Sequence, residues 1–252
     1  MNCLSCGQTS EKASGEHVFA DWLLKELECQ KLPMLFSRRA GDGSTTAHRT
    51  GITMGSFRLK KICEGCNNGW MSRLEGRAKP LMLSLMKRAR SLPDLDGEEC
   101  RILARWAGKT AIIESHAIGA ECPVDDKVLS WMRTHEDGAP GRFAVAGCIF
   151  NLNAVAHMQV GIIRDLIGGG KASGNIVVLG ISNVVLTCAF PMIAQLPYVG
   201  RCDPLTYYPL WPGPRSWTSM KKKFSPLPDQ IGIPDALVEF AERMELFQSV
   251  LS

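Results

Sequence analysis

Four cysteines share one spacing, Cys3-x2-Cys6 and Cys63-x2-Cys66. A two-residue gap lets one tight turn present two sulfurs, and two such turns supply the four soft ligands that tetrahedral zinc takes. Gly7 follows the first pair and Gly65 lies inside the second; both suit the sharp backbone of a metal knuckle. The 56 residues between the pairs exceed a single loop, so folded elements must bring them together. The spacing therefore predicts a structural Zn²⁺ held by Cys3, Cys6, Cys63 and Cys66. A redox use of C-x2-C is the rival, and two pairs in one basic segment argue against it. Cys29, Cys100, Cys122, Cys148, Cys188 and Cys202 stand alone and read as small buried hydrophobes.

Each pair has polar neighbours that a closed zinc site does not need. Glu16-His17 follows the first pair after a Ser/Gly stretch, and Asn67-Asn68-Gly69-Trp70 abuts the second. A neutral imidazole is a suitable base near neutral pH. Glu and Asn oxygens are the hard ligands that Mg²⁺ or Mn²⁺ prefers. The plainer alternatives are a helix cap for Glu16-His17 and a turn for Asn67-Asn68-Gly69. Charge is uneven: residues 1–90 hold 15 Lys and Arg against 8 Asp and Glu, whereas the whole chain is only +4. Arg38, Arg39, Arg58, Lys60 and Lys61 surround the expected site, placed for phosphate contact or simply solvated.

In order, Cys3-x2-Cys6, Ser14-Gly15-Glu16-His17-Val18 and Cys63-x2-Cys66-Asn67-Asn68-Gly69-Trp70 resemble the His-Asn-His (HNH) endonucleases in their zinc-bound, ββα-metal, treble-clef-like form. The resemblance covers about residues 1–80. It implies a general-base role for His17, which would activate water for attack on phosphorus. It implies that Glu16 and Asn67 hold a catalytic Mg²⁺ or Mn²⁺, with Asn68 as the alternative if the register differs by one. The four-cysteine zinc would be structural. No Asn lies between His17 and Cys63, so the family's middle residue has no counterpart of its own type. Asp42, Ser44, Thr45, Thr46 and His48 are the candidates to take its place.

The elements that must position these groups read as α+β. Gly15 to Glu28 starts loop-like and turns helical, with Val18, Trp22, Leu23 and Leu27 on one face. Residues 37–51 are polar and Gly-punctuated, an exposed loop or hairpin tip. Phe57 to Ile62 has a weak strand pattern. A helix is expected from Asn67 to about Arg90, broken near Pro80. Residues 91–97 are the expected linker between an HNH-like zinc domain, 1–90, and an α+β domain, 91–252. An amphipathic helix is predicted over Glu98 to Ala117, with Ile102, Leu103, Trp106, Ala107, Thr110 and Ile113 on one stripe. A second follows over Asp125 to His135. Strands are expected over Arg142–Leu152, Ala154–Ile163, Asn175–Ile181 and Asn183–Phe190, with a turn at Ser182-Asn183, an edge strand over Leu205–Trp211, and a closing helix over Pro234–Leu251.

With 45% apolar and 21% charged residues, the chain has material for a core, which excludes wholesale disorder. No apolar run reaches the roughly 18 residues of a membrane helix. The nearest, Ile176 to Met192, suits buried strands better. No signal-peptide pattern opens the sequence, and a cytoplasmic protein with no membrane partner is expected. The leading expectation is a metal-dependent endonuclease that hydrolyses phosphodiester bonds in DNA. The alternative is a non-catalytic zinc-ribbon or treble-clef module that binds nucleic acid or protein.

Overall fold

A computed structural model of the chain describes residues 2–9, 14–39, 45–119, 124–136, 143–149, 155–165, 171–190, 201–202, 205–206 and 208–211. The fold is α+β. In chain order it has β1 (Glu16–His17), α1 (Asp21–Glu26), β2 (Pro33–Arg39), β3 (Thr45–Thr53) and β4 (Arg58–Leu59). Then come α2 (Glu64–Cys66), a π-helical turn (Asn67–Met71), α3 (Ser72–Met86), α4 (Gly97–Ala117) and α5 (Lys127–Thr134). The last part holds β5 (Ala144–Ile149), β6 (Val155–Asp165), β7 (Lys171–Ile181), β8 (Val184–Phe190), β9 (Arg201–Cys202), β10 (Leu205–Thr206) and β11 (Tyr208–Trp211).

The strand pair between the two cysteine pairs is short. β1 pairs antiparallel with β4, setting Glu16 opposite Leu59 and His17 opposite Arg58. Between them, β2 and β3 form a separate antiparallel hairpin. Much of 37–51, expected as an exposed loop or hairpin tip, is thus ladder: Ser37 pairs with Ala47 and Arg39 with Thr45. β-branched Thr45, Thr46, Thr50, Ile52 and Thr53 suit the extended backbone, and this outweighs the polar composition.

The helical run after Cys63 kinks at Gly69 (φ −89°, ψ −111°) and then continues through Pro80 to Met86. The break expected at Pro80 does not occur. Ala78, Leu81, Met82 and Leu85 of this helix are all buried, and their packing outweighs the one backbone hydrogen bond that proline removes.

Helix α4 is the spine. Asp96 caps its start, its carboxylate accepting from the Glu98 and Glu99 N–H groups at 2.8 Å each, while Glu99 reaches back to the Asp96 N–H at 2.9 Å. This reciprocal cap satisfies otherwise orphaned donors. The expected single apolar stripe is too narrow a description: Cys100 and every residue from Ile102 to Ser115 are buried. The helix is enclosed because α3 and the zinc-side strands cover one side and the large sheet covers the other. The order in that sheet is β11-β5-β8-β7-β6, all antiparallel, with β11 at one edge as the sequence suggested. Ser182, at φ 56°, turns the chain between β7 and β8. A glycine makes room for a ring where α4 meets the segment leading into β5: a Cβ at Gly108 would lie 2.4 Å from Phe143 Cζ.

A single apolar cluster runs from Cys3 through α3 and α4 to Leu210. Asn183 Nδ2 donates to the Leu85 carbonyl at 3.3 Å, tying the β7–β8 turn to the end of α3. Among the described residues no helix is long and apolar enough to cross a membrane. The expected helix over 234–251 lies outside the described residues.

Candidate metal centre and its polar neighbours

The first knuckle is built by backbone. The Gly7 N–H donates to the Cys3 carbonyl at 2.8 Å and the Cys3 N–H to Gln8 O at 3.0 Å, with Gly7 at φ +71°, where a side chain would be strained. In the second knuckle the Cys66 and Asn67 N–H groups both donate to the Cys63 carbonyl, at 3.1 and 3.0 Å. Two contacts clamp the knuckles together: the Leu4 N–H to Lys61 O at 2.9 Å, and the Cys63 N–H to Cys3 Sγ at 3.3 Å. Ser5, fully buried, adds a third layer. Its hydroxyl accepts from Trp70 Nε1 at 3.0 Å and its carbonyl accepts from Ser130 Oγ at 2.9 Å, which joins the knuckle to the helix after it and to α5.

The four sulfurs of Cys3, Cys6, Cys63 and Cys66 lie within 4.8 Å of one another. Cys6 Sγ and Cys63 Sγ are 3.8 Å apart. A tetrahedron with Zn–S bonds of ~2.3 Å has sulfur–sulfur edges of about 3.8 Å, so the cage has the dimensions of a ZnS4 centre. Burial pushes the Cys66 thiol up to about 12. At Cys3 burial also pushes upward, but N–H groups of Cys63, Cys6 and Ser5 outweigh it and leave the thiol at about 7. Burial and the N–H donors thus pull the thiols in opposite directions, and a bound cation would favour the thiolate form of all four. The four-cysteine cluster could therefore hold a metal ion such as zinc. Of the solitary cysteines, Cys29, Cys100, Cys148 and Cys188 are buried as expected.

Glu16 and His17 sit on β1, two and three residues beyond the backbone contact that joins Ser14 N–H to Ile62 O at 3.0 Å. Asn67 Nδ2 donates to Ser14 Oγ at 2.9 Å, so the start of the second knuckle's helix is tied to the approach to β1. His17 is half-buried, and its Nδ1 has no hydrogen-bond partner among the described residues. Burial, then the positive Arg58 across the strand pair, lowers the imidazole pKa; Asp21, Glu16 and Glu75 oppose this only in part. The neutral ring is therefore favoured. Arg58, Lys60 and Lys61 are exposed on and beside β4. Arg38 and Arg39 lie in β2, opposite Thr46 and Thr45.

Glu16 has a different partner from the one the sequence suggested. It is 5% exposed, and its Oε1 accepts from Lys109 Nζ at 2.9 Å. The same ammonium donates to Glu75 Oε1 at 2.7 Å. Burial alone would pull Lys109 toward its neutral form, but the two carboxylates outweigh it and raise its pKa. The cysteine cage is the one cluster of three or more His, Cys, Asp or Glu among the described residues placed to hold a metal. A buried Glu16 carboxylate already spanned by an ammonium does not fit a Mg²⁺ or Mn²⁺ site centred on it.

Lys109, Glu75 and Ser5 escaped the sequence reading, and Ser14 entered it only as part of the motif, without its bond to Asn67. Lys109 had one visible signal: it is the lone ammonium within Trp106-Ala-Gly-Lys-Thr-Ala-Ile-Ile113, a segment with no polar face to place it on. No protein-family model, curated protein or solved structure matches the chain.

Proposed function

We propose that the zinc-side half of this chain is an endonuclease of the HNH, ββα-metal type that hydrolyses phosphodiester bonds in DNA. The observation that carries the reading is a neutral, half-buried His17 on a strand, paired across to exposed Arg58, beside a four-sulfur cage whose second knuckle starts a helix. His17 takes the proton from a water as its oxygen attacks phosphorus, and the ester oxygen leaves on the far side. General-base assistance of this kind contributes about 10²–10⁴ in rate. Arg58, Lys60 and Lys61 hold the phosphates by charge, with Arg38 and Arg39 on the β2–β3 hairpin. The zinc is structural: it supplies order to short strands and takes no part in the reaction. No step is assigned to a divalent ion at Glu16.

The test is nicking of supercoiled plasmid by the purified zinc-loaded protein, with and without added Mg²⁺ or Mn²⁺. His17→Ala should keep its zinc, melting temperature and DNA affinity yet lose cleavage by about 10²-fold or more. Because the ring's pKa is lowered, activity should persist below pH 6.5 before protonation of His17 ends it. Wild-type protein inert under every condition, or His17→Ala cutting like wild type, overturns the reading. A second reading is favoured by the Glu16–Lys109 ion pair: a zinc module that binds nucleic acid without cutting it. It predicts salt-sensitive DNA binding and no nicking.

A further inference from the structure

A lysine buried with two carboxylates inside a core is an expensive arrangement, and apolar residues of similar volume often stabilise as well or better. Its retention calls for an explanation in geometry. Lys109 Nζ joins three elements at one point: Glu16 on β1, Glu75 on α3 and its own helix α4. The lysine side chain is 1% exposed and that of Glu16 is 6% exposed, so neither reaches solvent or a substrate. The strand pair it grips is only two residues long, Glu16–His17 against Arg58–Leu59. Two residues of ladder do not fix a strand by themselves. The four cysteines anchor the chain on either side of β1 in sequence, but none lies between Gly7 and Phe19.

The geometry points to Lys109 as the positioning residue of the Glu16–His17 strand. Its ammonium holds the Glu16 carboxylate on the inner side of β1, which fixes the neighbouring His17 toward the opposite, partly open side. Adjacent residues of a strand face opposite ways, so locking one orients the other. Glu75 supplies the second oxygen, which keeps the ammonium from swinging away and sets β1 against α3. In this arrangement Glu16 is an anchor rather than a metal ligand, and the residue that orients His17 comes from α4, 93 positions along the chain. The role in cleavage rests on the nuclease reading above; the role in holding the strand does not.

The experiment compares wild type with Lys109→Met, Lys109→Met/Glu16→Gln and Leu103→Ala, all as zinc-loaded full chains. Leu103 is a fully buried apolar residue earlier in the same helix, so its truncation reports general loosening of α4. Backbone amide exchange of residues 16–18 and single-turnover nicking are read on each. Lys109→Met should raise exchange at 16–18 about tenfold or more and lower kcat by about 10²-fold, with KM little changed and zinc content intact. The double variant removes the more deeply buried of the two stranded carboxylates; it should recover part of the melting temperature but not kcat or protection. Leu103→Ala should melt earlier yet keep both. If Lys109→Met protects 16–18 as wild type does, or if Leu103→Ala loses kcat to the same extent, the positioning role is wrong. If wild type cuts nothing, the nuclease reading falls alone, and the exchange data still decide whether Lys109 holds the strand.

Discussion

The two sides of α4 are held by different forces. Toward the sheet, packing is apolar: Val177, Leu179, Val184, Leu186 and Phe190 are buried, and Gly108 lets Phe143 lie against the helix. Each such side chain adds about 1.5–3 kcal/mol by leaving water. Toward the cysteines α3 packs apolar side chains too, but the strand pair that carries Glu16 and His17 is two residues long, and sulfur and charge are added to the packing: the four-thiol cage, the Lys109 triad and the Ser5 clamp. Burial of apolar surface is non-directional and gives stability, whereas a tetrahedral ion or an ammonium between two carboxylates sets orientation as well. The half with the strictest geometry is the half with the candidate site.

Removing the metal should break that comparison most sharply. Structural zinc in small domains contributes ~10–16 kcal/mol of apparent binding energy. Cys63→Ser should lose the zinc and expose residues 2–26 and 54–71 to proteases, while amides of 176–190 stay protected. Equal loss of protection on both sides would mean that α4 transmits the collapse and that the two sides are one cooperative unit.

The apolar side should be sensitive to volume instead. Gly108→Ala places a methyl 2.4 Å from Phe143 Cζ and 2.5 Å from Cε2, and should cost ~1–3 kcal/mol as overpacking. Calorimetry should show the drop with unchanged zinc content. Phe143→Leu in the same chain should return part of it, which a purely backbone effect of the substitution would not allow.

One residue crosses the pattern and gives the finest test. Glu114 is a carboxyl buried on α4 within electrostatic reach of Cys188 in β8, and burial raises its pKa well above the ordinary range. The folded state then holds a proton that the unfolded chain releases above pH ~4.3, so stability falls as pH rises beyond that point. Glu114→Gln should remove this slope, stabilise the fold increasingly as pH rises above ~4.3 and match wild type below pH ~4. A gain that does not change with pH would show that the carboxyl is not protonated in the fold.

What the sequence made legible follows the same division. Elements that bury one kind of surface over many residues could be read: α4, α5, the strands β5 to β8 and the turn at Ser182 all fall within a few residues of expectation. The cysteine cage was legible because its ligands repeat a local spacing. Contacts closed by tertiary structure were not. Nothing in the local pattern of Glu16 distinguishes a metal ligand from a partner of Lys109, since an acidic residue beside a histidine serves either chemistry. Pro80 misled for the complementary reason: its local preference is to end a helix, and the packing of Ala78, Leu81 and Met82 overrides it.

The separation of Lys109 from the cysteines also imposes an order of events during synthesis. Cys66 is made 43 positions before Lys109, an interval of about 2–9 s at ~5–20 residues per second. The four cysteines are thus complete in sequence well before the residue that anchors Glu16, so a chain cut short of Lys109 would carry the whole cage but lack the ammonium between Glu16 and Glu75.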